Sequence, residues 1–173
     1  MFKGQLIKRI AIIGAVIIGI FALGGATQAH ASNIANFDSR TITYHIDATS
    51  SRYKSVWKEA FKSWNSKGIL KFKPASKKKA LLRVSTRKSL DGSLITAEGS
   101  TSSGSNSDQV LVKLDRSTLS GKNVSRKQRV NVATRGIFGG LGCDSKNMRT
   151  SAIWTPITSA EVNIVKKAYA HVK

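Results

Sequence analysis

Arg129 to Met148 reads RVNVATRGIFGGLGCDSKNM. Val130, Ala133, Ile137 and Leu141 recur at spacings of three and four, which places them on one stripe of a helix. Gly139, Gly140 and Gly142 then interrupt the run, because glycine lacks the Cβ that makes the left-handed region costly and so ends helices. A polar turn closing on Met148 follows. The expectation is a buried helix stopped by glycine.

Moving outward from that helix, Thr155-Pro156 closes a loop that holds Ile153 and Trp154. Thr158-Ser159-Ala160-Glu161 is a capping box, with threonine accepting from the N3 amide and glutamate reaching back. Val162, Val165, Ala168, Tyr169 and Val172 continue on one face as a terminal helix. His171 lies near its end, where the helix dipole favours a cation and no ligand role is needed. Upstream, Leu119 to Gln128 is a basic connection. Gln109 to Asp115 (QVLVKLD) is the clearest strand, with Val110, Val112 and Leu114 opposite Leu111 and Lys113.

Nearer the amino terminus, Thr41 to Ile46 (TITYHI) alternates as a strand with Ile42, Tyr44 and Ile46 on one face. His45 falls on the other face, as a solvent-facing or edge histidine. Tyr53, Val56, Trp57, Ala60, Phe61 and Trp64 form a broad apolar stripe on a helix beginning at Ser50 or Ser51. Its two tryptophans read as core residues before they read as a carbohydrate platform. Leu70 to Pro74, Ala80 to Ser85 and Leu94 to Ala97 read as short strands, separated by a solvated turn at Ala75 to Lys79. Glu98 to Asp108 (EGSTSSGSNSD) has the composition of a surface loop. Glu98 and Asp108 are its only hard oxygen ligands, too few to support a calcium site.

The glycine pattern, Met148 and the order of elements resemble the matrixin-like metzincins, zinc proteases with the signature H-E-x-x-H-x-x-G-x-x-H followed by a Met-turn. The resemblance spans most of Thr41 to Tyr169. It implies an α/β (α+β) zincin-like fold: a twisted mixed sheet, a long amino-terminal helix, a central active-site-type helix and a carboxy-terminal helix. With the motif glycine on Gly140, Ala133 and Ile137 stand where the two helix histidines belong. Thr134 takes the place of the general-base glutamate and Cys143 that of the third histidine, with Met148 as the Met-turn candidate. A register one residue later offers Thr134, Arg135, Phe138 and Asp144, so the loss does not depend on the alignment.

The resemblance implies zinc, but Ala133 and Ile137 carry no lone pair and Thr134 is no general base at neutral pH. The site residues thus predict no catalytic, cofactor or metal role, and the family reading becomes that of a pseudoenzyme. It also implies that the helix floors a cleft bordered by the strand near Val112, and that an extended peptide pairs with Val110 to Leu114, which needs only main-chain groups. Ile153 and Trp154 fall where the family builds part of its specificity pocket. An improvised site from Cys143, Asp144 and His45 has acceptable ligand types but no supporting spacing, and Cys143 lacks the electropositive setting that activates a thiol.

The full chain has 173 residues and a formal charge of +20. Residues 1–31 read as a secretory signal peptide: Lys3, Lys8 and Arg9, then the apolar run Ile10 to Leu23, then Ala29-His30-Ala31 as a small-x-small cleavage site. Fourteen residues at ~1.5 Å each give roughly 21 Å, short of a ~30 Å hydrocarbon core. Gly24 to Ala26 narrow that gap, so a retained anchor stays open as the alternative. Residues 32–173 form the matrixin-like domain, in which 26 basic side chains face 9 acidic ones. Such a balance predicts attraction to polyanions, which for an exported chain are acidic wall polymers, anionic lipid head groups or extracellular nucleic acid. No nucleic-acid motif is visible. One cysteine excludes an internal disulfide, so the expectation is a secreted or cell-surface bacterial protein.

Three functions follow as expectations: an inactive matrixin-like homologue binding a peptide or an envelope polyanion, an active but atypical metalloendopeptidase, or a cationic wall-binding or antimicrobial protein.

Overall fold

Alternating apolar residues in short segments, joined by one long amphipathic helix, make a sheet with one buried face and a helix to cover it. In the structure, a computed structural model that describes residues 37–100, 109–143 and 151–172, five strands form a single sheet in the order β2-β1-β3-β5-β4. These are β1 (Thr41–Ile46), β2 (Lys71–Pro74), β3 (Leu82–Arg87), β4 (Ile95–Ser100) and β5 (Gln109–Asp115). β2, β1, β3 and β5 run parallel, and β4 is antiparallel to β5 at the margin. The helices are α1 (Ser51–Asn65), α2 (Arg116–Leu119), α3 (Arg126–Gly140) and α4 (Ser159–Ala168), with a 3-10 turn at Ser151–Trp154. The protein is therefore a mixed α/β fold. All described residues fall within one compact unit, Ala31–Lys173. The proposed signal segment, residues 101–108 with Asp108, and the turn carrying Asp144 and Met148 lie outside the described residues.

The register puts Phe72, Ile42, Leu82, Val84, Val110, Val112 and Leu114 on one face, and these are buried. The other face carries Thr43, His45, Arg83, Ser85 and Lys113. Helix α1 lays Tyr53, Val56, Trp57, Ala60, Phe61 and Trp64 inward, the stripe expected from its spacing. Phe61 stacks on Tyr44 with ring centroids 3.7 Å apart. Burying side chains of this size contributes about 1.5–3 kcal/mol each, which is why α1 holds without a side-chain cap at Ser50.

Where the structure departs from the sequence reading, polar contacts account for it. Glu98, Gly99 and Ser100 belong to β4 and pair with Leu111, Val110 and Gln109 instead of opening a loop. An edge strand with one wet face tolerates such residues, and Glu98 receives Lys113 Nζ at 3.0 Å across the pair. β3 begins two residues later than expected, at Leu82. The short helix α2 interrupts the connection after β5. It forms because the Asp115 carboxylate accepts from the Thr118 amide at 2.8 Å and from Ser117 Oγ at 2.6 Å.

The helix predicted from residues 130–141 is α3. A capping box of Ser125 and Gln128 starts it. At its end the Gly142 amide donates to the Gly139 carbonyl at 3.0 Å and the Cys143 amide to Phe138 at 3.3 Å. With Gly142 at φ +81°, this is the Schellman arrangement, so Gly142 is the glycine that stops the helix. Gly136 and Gly140 do something different. A Cβ on Gly140 would stand 2.9 Å from Val112 Cγ2 and 3.1 Å from Leu82, and one on Gly136 3.0 Å from Val112 Cγ1. One turn apart, they let α3 lie closer to the sheet than any side chain permits.

Candidate functional site

The positions singled out on α3 lie in the interior. Ala133 and Ile137 have no exposed surface, and Thr134 and Cys143 are buried. The helix packs directly against Val112, and its motif positions line a packed core instead of the expected floor of a cleft bordered by that strand. Thr134 Oγ1 donates to the Val130 carbonyl at 2.8 Å, within its own helix. The Thr134 carbonyl accepts from Trp64 Nε1 at 2.9 Å, and Phe138 stacks parallel to that indole. Arg135, a position of the alternative register, is wholly enclosed and paired with Glu161.

This donor set does not fit zinc. Two hydrocarbon side chains offer nothing to a cation, and the threonine hydroxyl proton is committed to a carbonyl. Burial pushes the Cys143 thiol up to about 11, so the thiolate that would ligate a metal or attack a carbonyl is scarce near neutral pH. His45 stands on the opposite face of the sheet from α3. Its Nδ1 lies 3.0 Å from the Ala75 carbonyl and its Nε2 4.0 Å from Asp47. β1 is an interior strand, so His45 is half-buried there and not at an edge. The sheet separates it from Cys143, and no three His, Cys, Asp or Glu side chains cluster among the described residues. Ile153 is buried in the 3-10 turn, and the Trp154 carbonyl accepts from Asn131 Nδ2 at 2.7 Å, tying that loop to α3.

The strand assigned to peptide binding needs correction. Val110 to Leu114 pair with β3 on one side and β4 on the other, so their main-chain groups are already used. An added strand requires a free edge, and the sheet has two. β2 is closed: Asn65 at the end of α1 receives the Phe72 amide on Oδ1 at 2.7 Å and gives Nδ2 to the Phe72 carbonyl at 3.1 Å. Pro74 in the same strand has no N–H to offer. β4 pairs only with β5 among the described residues. The Asp115 amide donates to the Leu94 carbonyl at 3.0 Å, and alternation from that pair turns the main-chain groups of Ile95, Ala97 and Gly99 outward. The sequence does not reveal this edge, because the Ser/Gly/Asn composition that begins at Glu98 reads as a loop while Glu98 to Ser100 belong to β4. Trp64 and Asn65, adjacent at the end of α1, fasten α3 and seal β2 respectively.

No protein-family model matches the chain, and no curated protein matches it.

Proposed function

We propose that the protein is a secreted, catalytically inactive relative of the matrixin-like metzincins, with a zincin-like fold retained as a peptide-binding scaffold. The observation that carries this reading is the occupation of the motif positions on α3 by fully buried hydrocarbon, Ala133 and Ile137, on a helix that still ends in the expected glycine turn. The mixed sheet, the long first helix, the central helix and the capped last helix supply the elements the resemblance implies. An extended peptide adds to β4 and not to β5, using the outward groups of Ile95, Ala97 and Gly99.

Metal content and peptidase assays on the purified protein test the reading. The expected result is substoichiometric zinc, no cleavage of casein and no change in melting temperature with a chelator. Stoichiometric zinc lost together with proteolysis on chelation overturns it in favour of an atypical metalloendopeptidase. A second reading rests on the charge: 26 basic against 9 acidic side chains after residue 31 suit an acidic polymer or head groups of the bacterial envelope.

A further inference from the structure

Between the first turns of α1 and α3 lies a cleft of about 460 Å³ whose lining includes Arg52, Lys122, Arg126 and Arg129 together with Ser120 and Gly121. No carboxylate lines it. Of the lining cations, Arg126 is paired with a carboxylate: Glu59 accepts from its Nε at 3.1 Å and Nη2 at 2.8 Å, while Ser55 Oγ accepts from the same Nη2 at 2.7 Å. Arg129 Nε donates to the Leu119 carbonyl at 2.6 Å, which fixes that guanidinium and leaves its terminal nitrogens unengaged among the described residues. Arg52 and Lys122 are exposed and make no hydrogen bond or ion pair among the described residues.

Four cations against one carboxylate is a local excess of three. It is also placed against the local field. Arg52 and Arg126 sit in helix first turns that hold no acidic residue, where the dipole already presents positive potential. Self-repulsion of this kind is relieved by a bound anion, and two anchored guanidiniums beside two exposed cations suit a ligand with charge spaced along a chain.

The lining narrows the class. It contains no aromatic ring on which a base would stack. Ile164, on α4, is the one exposed large apolar side chain among the described residues, so nothing near the cleft would enter a bilayer. We infer that this cleft binds consecutive phosphates of a non-aromatic phosphodiester polymer of the polyol-phosphate class. The inference places the polyanion reading at one site and rests on that reading alone, independent of the zincin resemblance.

Binding of labelled poly(glycerol phosphate) to the purified protein, followed by fluorescence anisotropy across a salt series, tests it. The double variant Arg52→Ala/Lys122→Ala is expected to bind about tenfold or more weakly at moderate salt, with a salt slope shallower by one to two. Lys77→Ala/Lys78→Ala removes the same charge from an exposed turn outside the cleft and is expected to change affinity less than threefold. Equal losses in the two variants overturn the cleft assignment while leaving a general polyanion affinity, and tighter binding of single-stranded DNA than of the polymer overturns the ligand class. Binding to anionic phosphatidylglycerol vesicles but not to the polymer overturns the ligand class. Absence of binding to all three removes the polyanion reading itself. Melting temperatures of both variants within a few degrees of the parent establish that folding is intact.

Discussion

Arg135 and Glu161 form an ion pair enclosed on all sides, joining the middle of α3 to the first turn of α4. The same guanidinium donates to the Pro156 carbonyl at 3.1 Å and to the Thr155 carbonyl at 3.3 Å. The same carboxylate receives the Thr158 amide at 2.8 Å, so one residue closes the capping box and neutralises a buried cation. Glu161→Gln separates these roles, since glutamine serves at N3 of a capping box but carries no charge. It is expected to cost about 3–5 kcal/mol in urea unfolding, the penalty for an uncompensated buried charge. Arg135→Met should cost a similar amount, and the double variant markedly less than the sum. Additive losses would mean that the two side chains act independently.

Gly140 and Val112 set the distance between α3 and the sheet. Gly140→Ala gains helix propensity, but its methyl would meet Val112 Cγ2 at 2.9 Å and Leu82 Cδ1 at 3.1 Å in a fully buried layer. Overpacking of this kind costs about 1–3 kcal/mol, against a propensity gain of about 1 kcal/mol at most near a helix end. The expected outcome is a lower urea midpoint. In a Val112→Ala background the loss should shrink, because the closer of the two clashing methyls is gone while Leu82 Cδ1 remains at 3.1 Å. An equal loss in both backgrounds would place the strain elsewhere.

The elements that the sequence announced are those whose evidence is periodic. The α1 stripe from Tyr53 to Trp64, β1, β5 and the Thr158 to Glu161 capping box all repeat or pair at short range. What it concealed depends on partners distant in the chain. Nothing around Arg135 in the sequence points to the partner it meets, Glu161, 26 positions on. Gly140 reads as a helix breaker, and Gly136 carries no signal of its own, until Val112 lies against them. α2 has no pattern of its own and forms because Asp115 finds Thr118, Ser117 and Leu90. The position of β5 inside the sheet, which moves the open edge to β4, follows from strand order, and strand order leaves no mark on local composition.

Asp115 is buried at the end of β5 and should make the protein sensitive to acid. Burial alone would raise its pKa, but hydrogen bonds from Ser117, Thr118 and the Leu90 amide outweigh it and hold the carboxyl below the usual range. A carboxylate depressed in the folded state contributes stability above its unfolded pKa of about 3.9, and that contribution is lost as pH falls through the lower folded value. Asp115→Asn should cost about 1–3 kcal/mol at neutral pH, as three donors lose an ionised acceptor. Its urea midpoint should also fall less steeply than the parent's below pH 4. Parallel curves for parent and variant would remove Asp115 as the source.

Cys143 predicts the opposite limb. Its thiol is pushed up to about 11 by burial beneath the end of α3. The nearby Tyr169 hydroxyl, which donates to the Leu141 carbonyl at 3.3 Å, is raised for the same reason and by the adjacent thiol. A group whose folded pKa is raised contributes its full stability below the unfolded value, about 8.5 for a thiol, and loses it as pH climbs toward the folded value. Stability should therefore decline between about pH 8.5 and 11, and more gently in Cys143→Ala than in the parent. In native protein at pH 8 the thiol should react with a disulfide reagent at least a hundredfold more slowly than in urea, since attack requires an exposed thiolate. Rapid native labelling would mean that the end of α3 opens readily, and that Cys143 is available to chemistry which its packing otherwise denies it.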